Sequence, residues 1–91
     1  MKTVRLRVAG RVQGVGYRAW AVRAASELGL RGWVRNRRDG AVEVLVTGPE
    51  DAVAAMIEAA RRGPSAAHVD KVCVTDAQDE GSRGFVALPT E

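Results

Sequence analysis

One stretch, Gly10-Arg11-Val12-Gln13-Gly14-Val15-Gly16-Tyr17-Arg18, constrains this chain more than any other. Before it, residues 3–9 set Val4, Leu6 and Val8 against Arg5 and Arg7, the period-two pattern of a half-buried strand. After it, residues 17–29 place Tyr17, Ala21, Ala24 or Ala25, and Leu28 at helical spacing, with Gly29 as a natural stop. A strand handed to a helix through a glycine-punctuated loop leaves N–H groups unpaired where the helix dipole is positive. Gly14 and Gly16 carry no Cβ that would hold an anion away from the backbone. Arg18, in the first helical turn, adds a planar fork of donors. The N–H groups of Gly14, Val15, Gly16, Tyr17 and Arg18 thus form a candidate cradle for a terminal phosphoryl group or similar oxyanion. The spacing matches neither a P-loop nor a dinucleotide fingerprint, and chemistry alone leaves an anion cradle and an ordinary turn equally open.

The rest of the chain says where such a loop would sit. Residues 31–37 and 41–47 read as two strands around Arg38-Asp39-Gly40. A two-residue turn at Asp39-Gly40 would turn Val42, Val44 and Val46 to the same face as Arg35 and Arg37. An odd loop with Gly40 left-handed pairs Val34 with Val44 and Asn36 with Val42, and it keeps the valines on one face. The odd loop is therefore expected. Residues 49–61 follow as a second helix: Pro49, Glu50 and Asp51 in its first turn, Val53, Met56, Ile57 and Ala60 buried, and Gly63-Pro64 as the stop. A fourth strand over 69–76 turns Val72 and Val74 inward, residues 77–83 form a loop, and 84–88 form a short final strand.

The order βαββαβ, plus the short last strand, predicts an α+β ferredoxin-like (split βαβ) two-layer sandwich: an antiparallel sheet with two helices on one face. A right-handed crossover through the first helix makes the first two strands parallel. The start of the cradle and Asn36, near the end of the second strand, then lie at the same end of the sheet.

At 91 residues the chain is expected to form one domain, 1–91. No apolar run approaches the ~20 residues of a membrane span, and the first residues lack a secretory signal, so a cytoplasmic location is expected. Cys73 is the one cysteine, read as a small apolar filler of the fourth strand, and His68, the one histidine, as a loop or strand-edge residue. That inventory leaves little for a metal cluster or a His-based triad, so no metal and no cofactor are expected. Asp39, Glu50 and Asp51 read as turn and helix-start residues, and Arg35, Arg37 and Arg38 as a solvated hairpin. Asn36 can simply initiate the turn, as Asn commonly does. Its inward parity near the cradle leaves a second reading open, in which the amide donates to one group and accepts from a water. The net charge of +3 favours anionic ligands. RNA-binding plaits stack bases on sheet-face aromatics, and here only Trp33 faces that side, so nucleic acid is not the expected partner.

Gly10-x-Val12-Gln13-Gly14-Val15-x-Tyr17-Arg18, followed by Gly32-Trp33-Val34-Arg35-Asn36-x-x-x-Gly40-x-Val42 and then Gly48, resembles the two signature motifs of the acylphosphatase family. The resemblance spans essentially the whole chain. It departs at Tyr17, where the family usually has Phe, and the extra hydroxyl must reach water or a partner. The resemblance implies the same fold and the hydrolysis of acyl phosphates to carboxylate and inorganic phosphate, with no metal; a monomer is expected, although the sequence does not reveal whether the chain dimerises. It makes Arg18 the phosphate-binding residue and Asn36 the residue that positions the nucleophilic water. Such a site has donors but no base, which suits an anhydride with a very good leaving group. Inorganic phosphate is then expected to bind as product and inhibitor.

Overall fold

The computed structural model describes residues Met1–Glu91 in the order β1 (Lys2–Arg11), α1 (Tyr17–Glu27), β2 (Arg31–Asn36), β3 (Val42–Gly48), α2 (Glu50–Arg62), β4 (His68–Asp76) and β5 (Phe85–Ala87). The five strands form one sheet ordered β4-β1-β3-β2-β5. β1 and β2 each run antiparallel to β3 and hence parallel to each other. β5 pairs parallel with β2 at one edge, so the sheet is mixed rather than wholly antiparallel. Both helices pack on the face that carries Val4, Leu6 and Val8. The fold is ferredoxin-like.

Alternation in β1 does what period two requires: Val4, Leu6 and Val8 are buried, while Arg5 and Arg7 lie on the other face. Val34, Val42, Val44 and Val46 extend the buried face, and Tyr17, Ala21, Ala25, Val53, Met56 and Ala60 cover it from the helices. Each buried Val, Leu or Met side chain contributes about 1.5–3 kcal/mol. The β2–β3 register sets Val34 opposite Val44 and Asn36 opposite Val42, and the odd loop is present, with Gly40 at φ +100°. A slip of one residue would turn all three β3 valines outward. Helix α1 ends in a Schellman motif: the Leu30 N–H donates to the Ala25 carbonyl (2.9 Å) and the Gly29 N–H to that of Ser26 (3.1 Å). Pro49 is the N-cap of α2 rather than part of its first turn, and Ile57 is only half-buried.

The other sheet face is neither bare nor available for stacking. Glu43, only 15% exposed at its side chain, forms ion pairs with Arg5 (3.2 Å), Arg35 (2.8 Å) and Arg37 (3.3 Å), and Arg7 pairs with Asp39. Residues 77–83 fold over Trp33. Its Nε1 donates to Glu80 (2.9 Å), and Arg31 holds both Asp79 (2.8 Å) and the Ser82 carbonyl (2.8 Å). The Arg35 guanidinium sits 4.7 Å from the Trp33 ring centroid. Ion pairs with solvent-exposed partners contribute about 0–1 kcal/mol each, so the helix-facing core supplies most of the stability, with Trp33 and Leu45 buried on this face as well.

Two expectations for β4 fail, for one reason. Cys73 is exposed opposite Arg7 and fills nothing, and Val74, although in register with Leu6, is 41% exposed. β4 is an edge strand, and only Val69 and Val72 on it pack against the core.

The Tyr17 hydroxyl finds a partner: it donates to the Ala60 carbonyl at 2.7 Å. In a continuing helix that carbonyl would accept from residue 64, but Pro64 has no N–H. A side chain of α1 therefore completes the last turn of α2. Burial raises the Tyr17 pKa above its ordinary value. Tyr17→Phe should lower stability by about 1 kcal/mol near neutral pH, a Tm shift of about 4–8 °C in a chain of this size. Because the folded-state pKa is raised, this stabilisation is present below ~10 and declines as pH rises further and the unfolded chain ionises first. Tyr17 is the only tyrosine, so melting curves of the two proteins should converge above pH ~10; curves that stay parallel would contradict the buried phenol.

Candidate active site

β1 extends to Arg11, with Gly10 and Arg11 pairing against Val69 and His68, so the loop proper is Val12 to Gly16. Gly14 (φ +74°) and Gly16 (φ +81°) both occupy left-handed backbone conformations. A Cβ at either position would meet no protein atom within 4 Å, so conformation rather than crowding demands glycine here. Gly16 caps α1, and no side chain takes the usual N-cap role. The first helical hydrogen bond runs from the Trp20 N–H to the Gly16 carbonyl (3.0 Å), and none of the amides of residues 14–19 donates to a protein acceptor. Val12 and Tyr17 bury their side chains in the core, which holds the loop from both ends.

Arg18 lies half-exposed at the first turn of α1 and donates from Nη1 to the Leu88 carbonyl (3.2 Å). Its guanidinium belongs to no ion pair, whereas Arg5, Arg7, Arg31, Arg35 and Arg37 are all paired with carboxylates. Asn36 is the last residue of β2. Its backbone carbonyl accepts from the Glu91 N–H (3.0 Å), while its carboxamide hydrogen-bonds to nothing in the protein.

These elements meet at a cavity of about 350 Å³ lined by Val12, Gly14, Gly16, Tyr17, Arg18, Ala19, Asn36 and Ala87. Of the residues singled out in the sequence, Val15 alone does not line it, and its side chain packs against the core instead. Tyr17 offers the cavity its main chain, since its hydroxyl is committed to Ala60. His68 and Cys73 lie on β4 and do not line it, and no three His, Cys, Asp or Glu side chains group closely enough to hold a metal ion. A row of amides, a guanidinium without a counter-ion and a carboxamide on one cavity can take up a tetrahedral oxyanion and a water beside it.

Two contributors were not visible in the sequence. Residues 88–91 run beside β2: the Leu88 N–H donates to the Val34 carbonyl (2.8 Å), and Glu91 pairs with Arg35 (3.1 Å). Gln13 reaches across to the β2–β3 hairpin, donating from Nε2 to the carbonyls of Arg37 (2.7 Å) and Ala41 (2.9 Å). No periodicity marks either contact. The only signal was Gln13 itself, a polar residue fixed inside a loop otherwise made of glycine and valine.

A ferredoxin-like sandwich with a glycine loop, an unpaired arginine and an asparagine on one cavity is the class of protein the structure defines. The family model for Acylphosphatase matches residues 4–87. The chain is 52% identical over 90 residues to the acylphosphatase of Rhodospirillum rubrum, covering 99% of each. It is 56% identical over 85 residues to that of an Azoarcus species, covering 93% of this chain and 87% of the relative. The crystal structure of acylphosphatase from Bacillus subtilis superposes with a TM-score of 0.92 at 40% identity, over 97% of this chain and 99% of that one. The chain belongs to the acylphosphatase family.

Inorganic phosphate at constant ionic strength should raise the melting temperature by mass action, with about 2.7 kcal/mol of added stability at a hundredfold excess over Kd. Arg18→Ala should largely abolish that rise. A parent melting point indifferent to phosphate would show that the unpaired amides do not bind it.

Proposed function

We propose that this enzyme hydrolyses acyl phosphates by attack of water at phosphorus, without a metal ion. The observation that carries this reading is the convergence of three kinds of donor on one cavity: the amides of Gly14, Gly16, Tyr17 and Arg18, which meet no acceptor in the protein, the Arg18 guanidinium, which has no counter-ion, and the Asn36 carboxamide. The amides and Arg18 take the phosphoryl oxygens and stabilise the charge they carry in transfer. The Asn36 carboxamide holds the attacking water in line. No carboxylate or histidine lines the cavity, so the water's proton passes to an oxygen of the substrate's own phosphoryl group. The bond from phosphorus to the bridging oxygen breaks, and its electron pair leaves on the carboxylate. Positioning supplies most of the rate, because the anhydride is already a good leaving group. Inorganic phosphate is left on the same donors and competes with substrate. Every group named belongs to one chain, so the reading needs no second copy.

Hydrolysis of benzoyl phosphate tests this, followed in the parent, Arg18→Ala and Asn36→Ala. Arg18 grips the phosphoryl group in both ground and transition states, so its loss should weaken phosphate inhibition and turnover together. Asn36→Ala should lower kcat by about 10²–10³ while phosphate still inhibits nearly as well. A folded Asn36→Ala enzyme with undiminished kcat would mean that the water is held elsewhere. Turnover should also survive exhaustive treatment with EDTA; activity that is lost and then returns with Mg²⁺ or Zn²⁺ would overturn the metal-free route.

A further inference from the structure

Gln13 has no part in the chemistry above, yet its side chain joins the two halves of the site. Its Nε2 donates to the carbonyls of Arg37 and Ala41, the two residues that flank the Arg38-Asp39-Gly40 loop. Two carbonyl oxygens can face only the NH2 end of a carboxamide, and both of its hydrogens are then used. The Ala41 carbonyl also accepts from the Arg37 N–H (2.8 Å), so Gln13 closes on the neck of the hairpin rather than on its tip. Gln13 is one residue before Gly14, and Arg37 is one residue after Asn36. No other side-chain hydrogen bond links residues 12–16 to this hairpin. Gln13 is half-buried and does not line the cavity.

We infer that Gln13 is a positioning residue, which sets the distance between the amide cradle and the water held by Asn36. The inference rests on the role proposed for Asn36. The two halves of the site belong to different segments, a loop after β1 and the end of β2, and those strands are not neighbours in the sheet. β3 lies between them, so strand pairing sets their separation only indirectly. The Gln13 carboxamide sets it directly. Misplacing an attacking group by ~1 Å can cost ~10²-fold in rate, so a tie of this kind acts on turnover more than on binding.

Gln13→Ala and Gln13→Met, the second keeping the length of the side chain, would each be made in the parent and in Asn36→Ala. The readouts are kcat on benzoyl phosphate and the phosphate inhibition constant, taken well below each variant's own Tm. In the parent, kcat should fall about 10–100-fold with the inhibition constant nearly unchanged. In Asn36→Ala the same substitutions should cost less than about 2-fold, because no positioned water remains to be misplaced. Equal losses in both backgrounds would overturn the proposal, as would phosphate inhibition that weakens in step with kcat, or an unchanged kcat. Failure of both variants to fold would make Gln13 a residue of the fold and overturn it too. If Asn36→Ala alone retains full kcat, the role of Asn36 fails first and this inference falls with it.

Discussion

Backbone amides that meet no acceptor within a fold must be taken by water or by a ligand, and residues 14–19 gather such amides at one helix start. Much else in the structure serves to hold them still. Val12 and Tyr17 anchor the loop in the core at both ends, and Gly14 and Gly16 supply the left-handed backbone between those anchors. The Tyr17 hydroxyl, bound to the carbonyl that Pro64 cannot serve, locks the first turn of α1 to the last turn of α2. The amides therefore cannot rotate away without breaking a buried hydrogen bond and opening the core.

Charge is distributed to the same effect. Most arginines on the open face of the sheet are consumed by carboxylates: three of them close on Glu43, and Arg7 closes on Asp39. Arg18 has only a neutral carbonyl as partner. Its charge is thus free to act on an anion, while the positive charge on the sheet face is largely neutralised where it stands. Local pairing, more than the net charge of +3, decides which arginines keep a charge without a counter-ion, and Arg18 is the one of these that lines the cavity.

The parts of this protein governed by periodicity were legible in its sequence. Alternation in β1 and the parity of the hairpin valines placed Asn36 opposite Val42, and a right-handed crossover brought the end of β1 and Asn36 to one end of the sheet. Contacts between distant segments were not legible. Nothing in the residues 77–83 announced that Glu80 would cap Trp33 or that Asp79 would hold Arg31, and nothing marked residues 88–91 as neighbours of Arg18 and Asn36. Cys73 was misjudged because alternation reports which face a residue takes but not whether its strand lies at an edge. Such contacts depend on the final packing of loops, whose residues carry no repeat to read.

In the proposed reaction this geometry directs water to phosphorus and not to the acyl carbon. Hydrolysis of benzoyl phosphate in water enriched in ¹⁸O, followed by mass spectrometry of both products, tests it most directly. The label should appear in inorganic phosphate, with benzoate unlabelled. Label in the benzoate would mean that water attacks the carbonyl and that the amides and Arg18 hold only a departing phosphate.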